Sequence, residues 1–143
     1  MASSANEIRL SFLAGADLRT KQYHFVKTDS AGKVVLAGAG EAAIGVVVNK
    51  PNTNEEAAVQ VLGIAKVIAG GSITTGSRVA VDANGQAKAA VASTTKTDDT
   101  GAAADALVGS HAVGILVNTA NVAQNQVAEV LLLHLGAVPT TAA

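Results

Sequence analysis

The chain has 143 residues, 49% hydrophobic and only 15% charged, which excludes disorder over its whole length and fits one domain or two small halves sharing a core. Its net charge is −1, and its ten basic residues are scattered from Arg9 to Lys96, so the basic footprint that nucleic-acid binding needs is missing. Cysteine is absent and no apolar window reaches 18 residues, which excludes disulfides, thiolate metal sites and a membrane-spanning helix.

Residues 1–20 read as an N-terminal arm or an edge strand. Met1 to Glu7 hold no basic segment followed by an apolar one, so no signal peptide is expected. Ile8, Leu10 and Phe12 then alternate with polar residues, the period of a strand. Two readings stay open: an edge strand on the domain's own sheet, or an extended arm whose phenylalanine anchors on a neighbouring subunit.

Residues 21–138 read as one β domain, followed by a short tail at 139–143. Apolar, β-branched runs predict strands at 23–28, 33–37, 44–49, 57–62, 65–69, 78–82, 86–91, 113–118 and 127–135. Between them lie Asp29-Ser30-Ala31-Gly32, Lys50-Pro51-Asn52-Thr53-Asn54, Gly70-Gly71-Ser72 and Asp82-Ala83-Asn84-Gly85, all rich in turn-forming residues. Short strands with short connections predict an all-β fold, a small β-barrel or β-sandwich of tulip-like shape. Helix is expected only over 100–108, where Ala and Asp dominate.

An internal repeat organises the domain into halves at about 25–64 and 78–133. Ala43-Ile44-Gly45-Val46-Val47-Val48-Asn49 matches Ala112-Val113-Gly114-Ile115-Leu116-Val117-Asn118, an offset of 69. The match extends without a gap to Asn52 with Asn121, Val61 with Val130 and Leu62 with Leu131. Asp29-x-x-Gly32 matches Asp82-x-x-Gly85 at an offset of 53, which leaves an insertion of about 16 residues within 92–109. That insertion reads as a polar surface loop. Glycine at the same place in two strands marks a shared close approach of backbone, such as a barrel corner.

Phe12, Tyr23 and Phe25 are the only aromatic residues, so the rest of the core is built from Val, Ala, Leu and Ile. Alanine buries little apolar area at about 25 cal/mol per Å², and a core this thin is expected to be completed by self-association or by a partner surface. Ile8, Leu10, Phe12, Leu13, Tyr23 and Phe25 are the expected contacts with that partner surface or with another subunit.

Nothing in the sequence assembles a reaction centre. His24, His111 and His134 lack the close spacing of metal ligands. Gly38-Ala39-Gly40-Glu41-Ala42-Ala43 has the glycines of a dinucleotide loop, but a β-branched run ending at Pro51 stands where the helix must begin. Neither a phosphate-loop motif nor Gly-x-Ser-x-Gly occurs. The pairs Glu55-Glu56 and Asp98-Asp99 fall in predicted loops, where neighbouring carboxylates diverge. No catalytic, cofactor-binding or metal-binding residue is expected, and no enzymatic activity.

The series Asp17-Leu18-Arg19-Thr20-Lys21-Gln22-Tyr23-His24-Phe25-Val26-Lys27, Ala43-Ile44-Gly45-Val46, Val59-Gln60-Val61-Leu62-Gly63-Ile64-Ala65-Lys66-Val67 and Gly70-Gly71-Ser72-Ile73-Thr74-Thr75-Gly76-Ser77-Arg78-Val79 resembles the small capsid decoration (cement) proteins of tailed phages, some of which carry a recombinase-like label. The likeness runs over about residues 15–135, and the insertion at 92–109 departs from the shorter members. The resemblance implies a β protein made in the host cytoplasm that binds the outer surface of an assembled head. Its partners would be the major capsid protein and other copies of itself, commonly in trimers, with no nucleic acid or membrane. It would bridge capsomers and stabilise the shell. Other virion roles, a fibre base or a shell accessory domain, are the alternative, followed by a β-barrel ligand-binding module.

Overall fold

The computed structural model describes residues 7–90, 94–96, 106–108 and 111–137. Every described element is a strand: β1 (Ile8–Leu13), β2 (Phe25–Thr28), β3 (Val34–Leu36), β4 (Gly45–Val47), β5 (Glu56–Leu62), β6 (Ile64–Ile68), β7 (Arg78–Val81), β8 (Ala87–Ala89), β9 (Thr94–Lys96), β10 (Ala106–Val108), β11 (His111–Leu116) and β12 (Val127–Ala137). Each strand expected from 23 to 135 is present, usually shorter than its apolar run. The polar ends are withdrawn because their side chains hold turns. Asn49 leaves β4 so that its Nδ2 donates to the Glu56 carbonyl at 2.9 Å and its Oδ1 accepts from the Ala58 amide at 3.1 Å. Asp82 leaves β7 so that its Oδ1 accepts from the amides of Asn84 (2.8 Å) and Gln86 (2.9 Å).

Ten strands form two five-stranded antiparallel sheets, ordered β1-β5-β4-β2-β3 and β6-β12-β11-β7-β8. The two orders are the same once β1 is matched to β6, β2 to β7, β3 to β8, β4 to β11 and β5 to β12. Neither sheet closes, so the fold is sandwich-like and the barrel reading is corrected. A single parallel bridge curls each sheet, Ala14 to Val34 in one and Ala69 to Ala87 in the other, without joining the edges along their length. Residues 8–13 are an edge strand on the chain's own sheet, paired with β5 from Leu13↔Glu56 to Ile8↔Leu62. The arm reading is corrected for these residues.

The repeat is therefore a repeat of structure. Asp29 Oδ1 accepts from the Ala31 and Lys33 amides at 2.9 Å, as Asp82 does 53 residues later. A Cβ on Gly45 would lie 2.1 Å from the Gln60 carbonyl oxygen, and one on Gly114 2.4 Å from that of Leu131. Both strands thus need a residue without a side chain where the return strand crosses closely. The gapless continuation to Val61 and Val130 is corrected. The offset rises from 69 (Asn49 to Asn118) to 71 (Asn54 to Asn125), and both of the latter have left-handed backbone (φ 64° and 68°). The second half has two more residues in this turn, so Val59 matches Val130.

The insertion also differs from expectation. Thr94–Lys96 and Ala106–Val108 pair as a two-stranded antiparallel ladder, so the expected helix over 100–108 is a strand at its end; residues 100–105 and 139–143 lie outside the described residues. The Thr-rich and Leu-Val segments supply β-branched residues that favour pairing.

The first half has its own core of Ala14, Leu18, Val26, Val34, Val47, Ala57 and Val59. Its counterparts in the second half, Ala69, Ile73, Val79, Ala87, Leu116, Ala128 and Val130, belong to a larger cluster that also takes in Phe25, Ala37, Ala43 and Val46 of the first half. Phe25 and Val26 thus serve different cores from opposite faces of one strand. Full burial of Phe25 contributes about 2–3 kcal/mol to holding the halves together. The chain passes from one sheet to the other at Gly63 (φ 91°), and the buried Gln60 secures this step by donating from Nε2 to the carbonyls of Leu62 (3.1 Å) and Ile64 (3.0 Å).

Candidate interaction surface

The polar side chains singled out in the sequence are spread over the fold. His24 is buried, with Nδ1 3.0 Å from the Gln22 carbonyl, and loss of hydration pushes its imidazole below the usual range. His111 has Nδ1 3.1 Å from the Gly40 carbonyl, and His134 is exposed on β12. Among the described residues, no group of three or more His, Asp or Glu side chains converges. The glycine-rich loop acts as a strut between halves: the Gly40 amide donates to Val81 (2.9 Å) and its carbonyl accepts from the His111 amide (3.1 Å). Glu41 pairs with Lys27, which lowers its carboxyl pKa. Glu55 and Glu56 are exposed where β5 begins, and Asp98 and Asp99 lie outside the described residues.

Apolar exposure is concentrated elsewhere. Ile8, Leu10 and Leu13 on β1 are 46%, 47% and 51% exposed, and Leu62, paired opposite Ile8, is 43% exposed. Leu10 and Phe12 pair with Val59 and Ala57, which puts them on the core-facing side of the sheet and extends that core to its rim. Phe12 is half-buried against the core, whereas Leu10 stands clear of it. The expected contacts therefore divide. Leu10 stands on the core-facing side with Phe12 at its base, and Leu13, paired with the exposed Glu56, stands on the opposite face of the same edge strand. Tyr23 is half-buried in left-handed backbone (φ 64°), its amide donating to Val47 and its carbonyl accepting from Ile68.

Phe25 is a correction. It is fully buried between the halves and is withdrawn from any outer contact. Leu62 was missed in the sequence, although it ends the same return strand and its register opposite Ile8 makes it part of the patch. A second, smaller exposure at Val117 and Val127 was also missed.

No protein-family model matches the sequence, and no curated protein matches it. The fold recurs in a solved structure. The crystal structure of head fiber gp8.5 N base in bacteriophage phi29 is similar with a TM-score of 0.61, over 91% of this chain and 97% of that one, at 16% sequence identity. At that coverage the likeness takes in both halves, and at that identity it is a likeness of fold.

Proposed function

We propose that the chain is a structural protein of a bacteriophage virion, attached to the outside of the head and acting by adhesion, without catalysis. The observation that carries this reading is the two-half sandwich itself, shared over nearly its whole length with the base of a phage head fibre. The likeness favours a base-type module on the head surface. The sequence motifs that resemble decoration proteins favour the second form of the same role, a cement that bridges capsomers. In both, the partner is the major capsid protein, and the chain works as a small homo-oligomer, taken as a trimer.

Attachment of this kind needs no reaction centre. A protein that binds the assembled lattice better than its free subunits stabilises the lattice by mass action. An oligomer that engages several capsomers at once gains avidity from modest single contacts. The apolar rim at Ile8, Leu10, Leu13 and Leu62 provides surface of the right chemistry for protein contact.

The test is co-sedimentation of the purified chain with heads of the parent phage assembled without it. Saturation at a fixed copy number per head supports the role; no pelleting above a head-free control overturns it. Heating the loaded heads separates the two forms, because a cement raises the temperature of shell rupture and a fibre base leaves it unchanged.

A further inference from the structure

The repeat supplies its own indication of what covers the β1 face. Matched strand by strand, Leu10 corresponds to Ala65, Phe12 to Val67, Ile44 to Val113 and Val61 to Leu132. These follow from the offsets of 55 (Ala14 to Ala69), 69 (Gly45 to Gly114) and 71 (Val59 to Val130). In the second half all four positions are buried, at 0%, 0%, 5% and 3% exposure, in the cluster that contains Phe25 and Val46 of the first half. In the first half Leu10 is exposed, and Phe12, Ile44 and Val61 are only partly covered. The same surface is thus closed once within the chain and left open once.

The contact within the chain runs head to tail. One half presents the cross-strand pair Phe25↔Val46; the other receives it on the rim of its core. The pair corresponding to Phe25 and Val46 is Arg78 and Ile115, again directly opposed across two strands. Arg78 is exposed and Ile115 partly so. Among the described residues, each chain is left with one open receiving face, on its first half, and one open presenting face, on its second.

Two backbone details repeat the asymmetry. Gly85, in the β7–β8 turn, sits against the first half, where its carbonyl accepts from the Phe25 amide at 2.7 Å and a Cβ would meet Leu36 at 2.5 Å. Its counterpart Gly32 has no described residue within 4 Å of that position. The Ile68 amide donates to the Tyr23 carbonyl at 3.0 Å, and its counterpart is Leu13, the most exposed apolar residue of β1, whose corresponding acceptor is Gly76. Side-chain sizes are also exchanged. Within the chain a large Phe25 meets the small Ala65 and Val67; between chains the large Leu10 and Phe12 would meet Ile115 and the stem of Arg78. Such exchanges keep the filled volume similar.

We propose that the β1/β5 face of one copy is covered by the β7/β11 face of a second copy, repeating between chains the contact that joins the halves within one. A head-to-tail contact uses different surfaces on its two sides and gives a ring when the rotation between copies closes, which is the form proposed here: Leu10 and Phe12 of each copy pack on Arg78 and Ile115 of the next, and the Leu13 amide donates to its Gly76 carbonyl. This deepens the self-association in the functional reading above and does not depend on the capsid.

The chain has no cysteine, so the contact can be tested by pairing Leu10→Cys with Ile115→Cys under mild oxidation. The double variant is expected to give a covalent ladder ending at the ring size, with neither single variant giving more than traces of dimer. Sedimentation of the unmodified chain should show one oligomer, and Leu10→Lys should weaken it about tenfold or more while leaving the monomer folded. A 14.1 kDa monomer at micromolar concentration overturns the proposal, as would occur if another segment of the chain or a different protein covered this face. Efficient dimers from Leu10→Cys alone also overturn it, since they require a two-fold contact. A monomer that still pellets with heads removes the ring and keeps the virion role; a ring that does not pellet does the reverse.

Discussion

Alanine at Gly45 or Gly114 tests the repeat where it is most constrained. A Cβ at Gly45 would lie 2.1 Å from the Gln60 carbonyl oxygen and 2.9 Å from its carbon; one at Gly114 would lie 2.4 Å from the Leu131 oxygen and 2.5 Å from Val130 Cγ1. The obstructing oxygens belong to the backbone of a paired strand and cannot swing aside as a side chain can, so the ladder must open by about an ångström. Overpacking of this kind costs about 1–3 kcal/mol, and a weakened ladder bond adds about 1 kcal/mol. At about 3 °C per kcal/mol for a chain of this size, each variant should melt about 6–12 °C below the parent by circular dichroism. Gly71→Ala is the control, because no described residue lies within 4 Å of its Cβ position, and its midpoint should stay within about 2 °C. A Gly114→Ala protein melting with the parent would refute the close-approach reasoning. A large loss at one glycine and none at the other would refute the equivalence of the halves.

The aspartates of the two hairpins should behave alike. Asp29→Ala and Asp82→Ala each remove an acceptor of two backbone amides and should each cost about 1–3 kcal/mol in urea unfolding; unchanged midpoints for both would show that the turns hold without them. His24 makes stability depend on pH. Burial lowers its folded-state pKa below 6.5, so below pH 6.5 the unfolded chain binds the proton more readily. Its contribution is fully present above 6.5 and is lost as pH falls through the lowered value; His24→Gln should flatten this part of the profile, and parallel profiles for parent and variant would contradict it. On the surface, Arg19 holds the Asp17 carboxyl down to about 2, chiefly through a side-chain hydrogen bond. Arg19→Ala should return that carboxyl toward 3.8 in an NMR titration, and an unmoved midpoint would show that the pair does not form in solution.

The strands were legible because most are apolar, β-branched runs closed by turn residues, and the repeat was legible because Gly45 and Gly114 recur within matching apolar neighbours. Closure was not legible. Whether β1 zips to β3 or merely touches it at Ala14 and Val34 depends on sheet curl, which no local pattern encodes. The gapless alignment failed because an Ala- and Asn-rich turn absorbs two residues without altering the pattern on either side.

Phe25 was misplaced for a more general reason. Alternation tells that neighbours in β2 face opposite ways, but here both ways lead inward: Val26 to the first half's own core and Phe25 to the shared one. Only the packing of one half on the other distinguishes a buried second face from an outer contact. The apolar alternation of Ile8, Leu10 and Phe12 did mark the β1 surface, because an edge strand that keeps leucines in water departs from the charged or polar form such edges usually take. Leu62 escaped notice because its exposure arises from pairing with Ile8, a partner distant in sequence.

The virion role is tested most directly by imaging heads of the parent phage with and without the protein by cryo-electron microscopy. Added density is expected outside the shell, at symmetry-related positions, each unit large enough for the paired five-stranded sheets of this fold. Shells that stay bare when incubated with saturating protein would contradict it.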